Sequence, residues 1–368
     1  MEMSCDDPNP ASAVSIPEVV SRGVGRSVRD AIRLREGRES CNYYGEPAMI
    51  TAVTRPFSRR ALSKPNLVYF LWRFVANGVR TCRAVVAGSS DSDVRTIASE
   101  LNTEGIVVAA SERFLTQDGR QGLREAASKI LETSRSAAVE ARVTGTAVDD
   151  ERQKKFMVNL VSYADGVPAS DPVLRVALDT KLLEIVAAYL GLWPVLHSVD
   201  AWLNYPTDGP PEISQLWHRD PEDLKLVKVF IYLNDVDERC GPFTYIPKTH
   251  PFGAETVKSA SLEKKKRIHD ERMTRVFPPD SWRICVGGAN TMILADTLGY
   301  HRGGKPIVGR RILLTFTYTS GTPITDRPIR VDGMPKWISS GIQKAAVRPL
   351  LTVPRRPVER KGEKRRAR

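Results

Sequence analysis

The sequence predicts an α+β chain in which N-terminal helices buttress a strand-rich core. Three observations carry that prediction. With 368 residues, 41% hydrophobic and 27% charged, the chain is long enough to bury a proper core. Between Asp93 and Gly191 apolar residues recur at helical spacing. After Gly191 the period shortens to strand-like runs separated by Gly, Pro, Asn and Asp, the pattern of a barrel or sandwich.

Residues up to about 65 are rich in Arg, Ser and Pro without a sustained period, and Leu67 to Val79 reads as one amphipathic helix. Val94, Ile97, Ala98 and Leu101 then fall at i, i+3, i+4 and i+7 behind Asp93, the expected N-cap. Gly105 ends that helix and Ile106 to Val108 reads as a strand. A second helix carries Leu123, Ala126, Ala127, Ile130 and Leu131 on one face. A third opens at Asp171-Pro172, an N-cap followed by proline at N1, and runs to Gly191. The strand-like runs are "WPVLHSVDAWLNYP", "KLVKVFIYLNDV", "GPFTYIP", "SWRICVG", "NTMILAD" and "RRILLTFTYTS". The expected organisation is an irregular extension over 1–88 with one helix, a core domain over 89–330, and a basic, disordered tail over 331–368.

Several function classes recede on composition. The net charge is +12, but the terminal "RRPVERKGEKRRAR" supplies half of it with eight Lys/Arg against two Glu, and no aromatic residue there offers a stacking platform. Nucleic acid is therefore not the expected partner. Five scattered cysteines form no C-x-x-C pair, which argues against a disulfide scaffold or zinc ribbon. The longest apolar runs are too short and too charged to span a membrane, and the acidic start lacks the order of a secretory signal. A cytoplasmic enzyme is the expectation.

The chemistry concentrates around "QLWHRD", residues 215–220. His218 and Asp220 stand two apart, so on extended backbone both project to one face and could offer two cis ligands to a metal; the alternative is the polar end of a strand. One imidazole and one carboxylate suit iron(II) when a second histidine completes the face and leaves positions open. His301, in "DTLGYHRGG", is the best third ligand among five histidines. Arg310 and Arg311 follow it by nine and ten residues. His250 reads as a turn residue, His197 as a core or cavity-wall residue, and His269 as solvated.

Taken together, "QLWHRD", "VKVFIYLNDVDERCGPFTYIPKTH" and "ADTLGYHRGG…GRRILLTFTY" resemble the phytanoyl-CoA dioxygenase family of iron(II)/2-oxoglutarate-dependent oxygenases, over roughly residues 90–325. The resemblance implies a double-stranded β-helix (jelly roll) with iron(II) held by His218, Asp220 and His301. It implies 2-oxoglutarate as cosubstrate, molecular oxygen and a small organic molecule as substrates, and hydroxylation with succinate and carbon dioxide as co-products. Related halogenases lack the carboxylate, so Asp220 implies hydroxylation over halogenation. A noncatalytic jelly-roll module holding a metal or polyanion is the rival class.

A far carboxylate of 2-oxoglutarate needs a cation at the pocket floor. Strand parity groups Arg311 with Leu313, Thr315 and Thr317, and Arg310 with the bulkier Ile312, Leu314 and Phe316, so Arg311 is expected inside. Relatives carry serine where Leu313 stands, and Thr315 is the expected replacement donor. In "VKVFIYL" the same parity separates Val227, Val229, Ile231 and Leu233 from Lys228, Phe230 and Tyr232. Lys228 faces either 2-oxoglutarate or substrate carboxylate, or solvent from an edge. Phe230, Tyr232 and Trp217 are candidate pocket residues, with core packing the alternative for Trp217. The Lys-rich segment Leu262 to Arg275 is either a solvated surface helix or a mobile lid whose cations attract an acidic or phosphate-bearing substrate. Its three apolar residues, Leu262, Ile268 and Met273, look too irregular to face a core.

Overall fold

The computed structural model describes residues 67–351, leaving out 137–138, 141–142, 145–154, 162, 164–165, 252 and 263–265. The basic stretch 355–368, Cys5, Cys41, Lys264 and Lys265 thus lie outside the described residues. Cys82, Cys240 and Cys285 are free thiols. Among the described residues no helix is long and apolar enough to cross a membrane.

The first helical stretch is interrupted. α1 (Leu67–Phe70) passes through a π-helical turn, and α2 (Gly78–Ala87) starts after a break at Asn77. Asn77 is buried at that break, where its side chain bonds Trp72 O at 2.9 Å, Thr322 Oγ1 at 3.0 Å and Gly321 N at 2.9 Å. α3 (Ser92–Glu104) is capped by Asp91, two residues before the expected Asp93, because the Asp91 carboxylate reaches Asp93 N at 2.8 Å. Gly105, at φ +76, closes it as expected, and β1 (Ile106–Ala110) follows. α4 (Gln117–Ser134) buries Leu123, Ala126 and Ile130.

The expected helix over 171–191 is two. α5 (Pro172–Ala177) is capped by Asp171, and α6 (Thr180–Leu190) by Asp179, whose carboxylate takes Leu182 N at 3.1 Å and Thr116 N at 3.1 Å. A buried carboxylate that satisfies a distant turn as well as its own helix start fixes the break there.

The six strand-like runs all form strands. β1, β8 (Thr291–Ala295), β5 (Val227–Tyr232), β10 (Arg311–Thr319), β4 (Val195–Asn204) and β2 (Met157–Asn159) make one antiparallel sheet in that order. β7 (Arg283–Cys285), β6 (Phe243–Tyr245) and β9 (His301–Gly303) make a second. A short parallel pair joins β3 (Val167–Pro168) to β11 (Val331–Asp332).

Side-chain parity divides the large sheet. Val227, Val229, Ile231, Met292, Leu294, Leu314, Phe316 and Tyr318 pack with Ile97, Leu101, Leu182 and Val186 of the helices in the principal core. The opposite face presents Phe230, Tyr232, Ile293, Ala295 and Leu313, which pack against Phe243, Tyr245 and Cys285 of the small sheet. The Phe230 and Phe243 rings are 4.5 Å apart across that gap.

Both flanks of the expected core domain join the same compact unit. Trp72 lies in the principal core, and so do Val331, Ile338, Ile342, Ala346, Val347 and Leu350 from the segment that composition groups with the tail. α8 (Gly341–Val347) there opens with a capping box between Ser340 and Gln343. Trp72 is tied in by Asp223, which accepts from its Nε1 at 2.9 Å and from Ser320 N, just past β10, at 2.7 Å. Burial pushes the Asp223 carboxyl up to about 6. Asp223→Ala strips buried donors of an acceptor, so we expect about 2 kcal/mol lost from unfolding free energy, measured by urea titration.

Candidate metal centre

His218 and Asp220 stand on extended backbone stitched into the small sheet rather than on a regular strand. His218 and His301 exchange backbone bonds of 2.9 and 3.0 Å as an isolated antiparallel bridge, and Asp220 N donates to Thr297 O at 2.9 Å. His301 opens β9 opposite Tyr245. These pairings bring the two rings to 4.2 Å and place one ligand atom from each of His218, Asp220 and His301 within 4.8 Å of the others. Three side chains that could hold a metal ion thus converge from two parts of the chain 81 residues apart by their numbering.

Each imidazole is oriented by a carbonyl. His218 Nδ1 lies 2.8 Å from Leu216 O, and His301 Nδ1 lies 3.0 Å from Gly299 O. A carbonyl only accepts, so each Nδ1 carries the proton and each Nε2 keeps its lone pair, the arrangement of a metal-ligating histidine. Those Nε2 atoms lie 3.7 Å from Asp220 Oδ1 and 3.3 Å from Asp220 Oδ2 respectively. Burial and the neighbouring His301 hold His218 well below the usual imidazole range, which keeps it neutral.

Lys228 meets two carboxylates of the chain itself. Its ammonium lies 2.7 Å from Asp220 Oδ2 and 2.7 Å from Glu222 Oε1. A buried lysine on a sheet face requires an anion, and the chain supplies two. Burial would raise the Asp220 carboxyl, but the Lys228 ammonium outweighs it and holds it well below the carboxylate range. Burial raises Glu222, with Lys228 opposing. Sequence reasoning missed Glu222, although it stands two residues after Asp220.

The two arginines part as parity requires. Arg310 is half exposed and pairs both its terminal nitrogens with Glu140 at 2.9 and 3.0 Å. Arg311 is 3% exposed, and its Nε and Nη1 have no hydrogen-bond partner among the described residues. The buried Thr315 Oγ1 is likewise without a partner, as is Nδ2 of Asn204, which lies directly opposite Arg311 in the ladder. Gly303 lies beside this guanidinium, where a Cβ would stand 2.9 Å from Arg311 Nη2 and push it aside. Unpartnered buried donors on one face, centred on a cation, are groups that an anion could satisfy.

The aromatic pocket candidates differ in their freedom. Trp217 is fully buried on the face away from His218, with its Nε1 on Asp270 at 2.8 Å and its ring against Trp282. Tyr232 spends its hydroxyl on Cys285 O at 2.7 Å and Phe243 N at 3.1 Å. Both are thereby committed to packing. Phe230 keeps an apolar face beside Thr315, its cross-strand partner. Of the other histidines, His250 is buried in a turn against Asn102 O at 3.1 Å, and burial lowers His197 to about 4, leaving it neutral.

The flap does not follow its expected pattern. Among its described residues only α7 (Asp270–Met273) is α-helical, and Leu262, Ile268 and Met273 are buried, at 1%, 1% and 0% exposure, with Trp217, Phe277 and Tyr300. Their irregular spacing hid a small core because the segment folds as turns around Trp217 instead of a helix.

No family model matches the chain, and no curated protein matches it. Solved structures overlap it more loosely. EctD from S. alaskensis with bound Fe is 20% identical at a TM-score of 0.42, over 63% of this chain and 79% of that one. The epimerase SnoN, in complex with Fe3+, alpha ketoglutarate and nogalamycin RO, is 16% identical at 0.41, over 67% and 92%. AviO1 from Streptomyces viridochromogenes Tue57 is 15% identical at 0.39, over 64% and 98%. TM-scores near 0.4 leave the function to be argued from the centre's own geometry.

Proposed function

We propose that the chain is a non-heme iron(II)/2-oxoglutarate-dependent oxygenase of the phytanoyl-CoA dioxygenase type, with a jelly-roll core, that hydroxylates a small organic substrate. One observation carries the reading: a His–Asp–His set whose two imidazole Nε2 atoms converge with one carboxylate shares the inter-sheet face with a buried arginine whose Nε and Nη1 have no partner among the described residues. His218, Asp220 and His301 would hold the metal, and two neutral nitrogens with one carboxylate suit iron(II). The unsatisfied Arg311 and Thr315 donors suit the far carboxylate of 2-oxoglutarate. When bound, iron(II) would activate molecular oxygen as the oxidant, 2-oxoglutarate giving up two electrons as it becomes succinate and carbon dioxide and the substrate two more as it is hydroxylated, with one oxygen atom ending in each product.

The chain's own residues then bind, orient and exclude. His218 and His301 present Nε2 without rotating, because Leu216 O and Gly299 O hold their other nitrogens. Lys228 pairs with Asp220 Oδ2 and so would hold the carboxylate in place as a ligand. Phe230 and Phe243 close the face beside Thr315 against water.

Full-length protein loaded anaerobically with iron(II) and 2-oxoglutarate, then exposed to oxygen, should release one succinate for each 2-oxoglutarate consumed. Metal binding with no 2-oxoglutarate loss would refute the oxygenase and favour the noncatalytic metal-binding module. Lys228 supplies a further check. Lys228→Met should weaken Mn(II) binding at neutral pH about tenfold, the low end for an outer partner of a ligand. Lys228 holds the Asp220 carboxyl down, so removing it raises that pKa, and protons displace the metal at higher pH than in the wild type. Mn(II) paramagnetic resonance across a pH series reads both effects, and Lys228→Arg should restore most of the loss.

A further inference from the structure

The flap brings a cation to the metal centre that neither the triad nor the cosubstrate site uses. Trp217 and Ile268 exchange backbone bonds of 3.0 and 3.0 Å as an antiparallel bridge. The next pair along that register is His218 with Arg267, and directly opposite residues in an antiparallel pair share a face. His218 is bridged on its other side to His301. Arg267, His218 and His301 therefore stand side by side across three segments, while Trp217 and Ile268 turn the other way into the small apolar core. Arg267 is near enough to interact electrostatically with both Asp220 and His218.

Arg267 is exposed, and it makes no hydrogen bond or ion pair among the described residues. It also lines a cavity of about 670 Å³ with His269, Glu271, Arg272 and Arg275. Three guanidiniums face one carboxylate there. The nearby Asp270 does not neutralise them, because it pairs with Arg302 and accepts from Trp217. The buried Leu262, Ile268 and Met273 anchor the segment, so the cation is held beside the centre by a packed base.

We propose that Arg267 is the recognition residue for an anionic substrate. It would bind the carboxylate or phosphate of a small organic acid beside His218, on the face its register shares with the centre, so that the acid's carbon skeleton extends toward the metal centre. The word substrate rests on the oxygenase reading; the anion site does not. A guanidinium beside the metal centre selects for charge because it pairs bidentately with either oxyanion and gains nothing comparable from an amide.

The test titrates full-length protein with hexanoate, hexyl phosphate and hexanamide, three probes of one chain length, by isothermal calorimetry with and without Co(II) and 2-oxoglutarate. At least one anion should bind about tenfold or more tighter than hexanamide. Arg267→Gln should remove that preference and Arg267→Lys should keep part of it, while Co(II) and 2-oxoglutarate bind each variant as they bind wild type. With Co(II) and 2-oxoglutarate bound, the favoured anion should also perturb the Co(II) visible spectrum, which places it beside the metal. Equal binding of hexanamide, no binding of either anion, or unchanged anion affinity in Arg267→Gln would overturn the proposal. Failure of Co(II) or 2-oxoglutarate to bind would count against the oxygenase alone, since calorimetry reads the anions in either case.

Discussion

Replacing Asp220 by alanine is expected to abolish succinate formation and to weaken Mn(II) or Co(II) binding by more than about a hundredfold, with little loss of fold stability. The two effects separate because Asp220 is one of two carboxylates on one ammonium. Without it Lys228 keeps Glu222, so the variant leaves no buried charge stranded, and removing a buried acid can even stabilise a protein. The metal loses its only anionic ligand among the three. Calorimetric metal titration alongside thermal unfolding of the metal-free protein checks both halves. Wild-type metal affinity in Asp220→Ala would show that the three side chains are not a ligand set. Joint loss of affinity and folding would assign Asp220 a structural role instead.

What could be read in advance followed from period and spacing. A two-residue repeat fixes which side chains share a sheet face, so the separation of Arg311 from Arg310, and of Lys228 and Phe230 from Val227 and Val229, was visible before any coordinates. The convergence of His218, Asp220 and His301 was visible because few histidines compete and the H-x-D spacing is local. Pairings made by loops were not. Glu222 meets Lys228 only through the bend after Asp220, and Arg267 meets His218 only through a single backbone bridge. Burial was misread where the backbone is irregular: Leu262, Ile268 and Met273 obey no period, yet all three pack under Trp217. The composition of the C-terminal segment likewise concealed Ile342, Val347 and Leu350, since abundant cations around a short helix say nothing about its inner side. The helix break at Asp179 needed knowledge of Thr116, 63 residues earlier.

Arg311→Ala should raise the apparent KM for 2-oxoglutarate by about 30-fold or more, while Arg310→Ala changes it less than about twofold. The first figure follows from the about 2–5 kcal/mol lost when one partner of a buried charge pair is removed. The second follows from the exposed Arg310–Glu140 pair, which solvent screens and which touches no part of the centre. Arg311→Lys separates charge from shape. Lysine keeps the positive charge, but it lacks the planar fork, so it should recover only part of the affinity. Burial already disfavours the Arg311 charge in the free protein, so keeping this cation in place costs the metal-free protein stability, and a bound dianion would relieve that cost. Arg311→Ala is consequently expected to unfold at the same or a slightly higher temperature than wild type without 2-oxoglutarate, and to gain less stability on adding it. Thermal shift with and without 2-oxoglutarate, beside steady-state kinetics, measures both. An Arg311→Ala enzyme with unchanged KM and an undiminished thermal shift would place the cosubstrate's carboxylate elsewhere, and the cluster of unpartnered donors at Arg311, Thr315 and Asn204 would then need another anion.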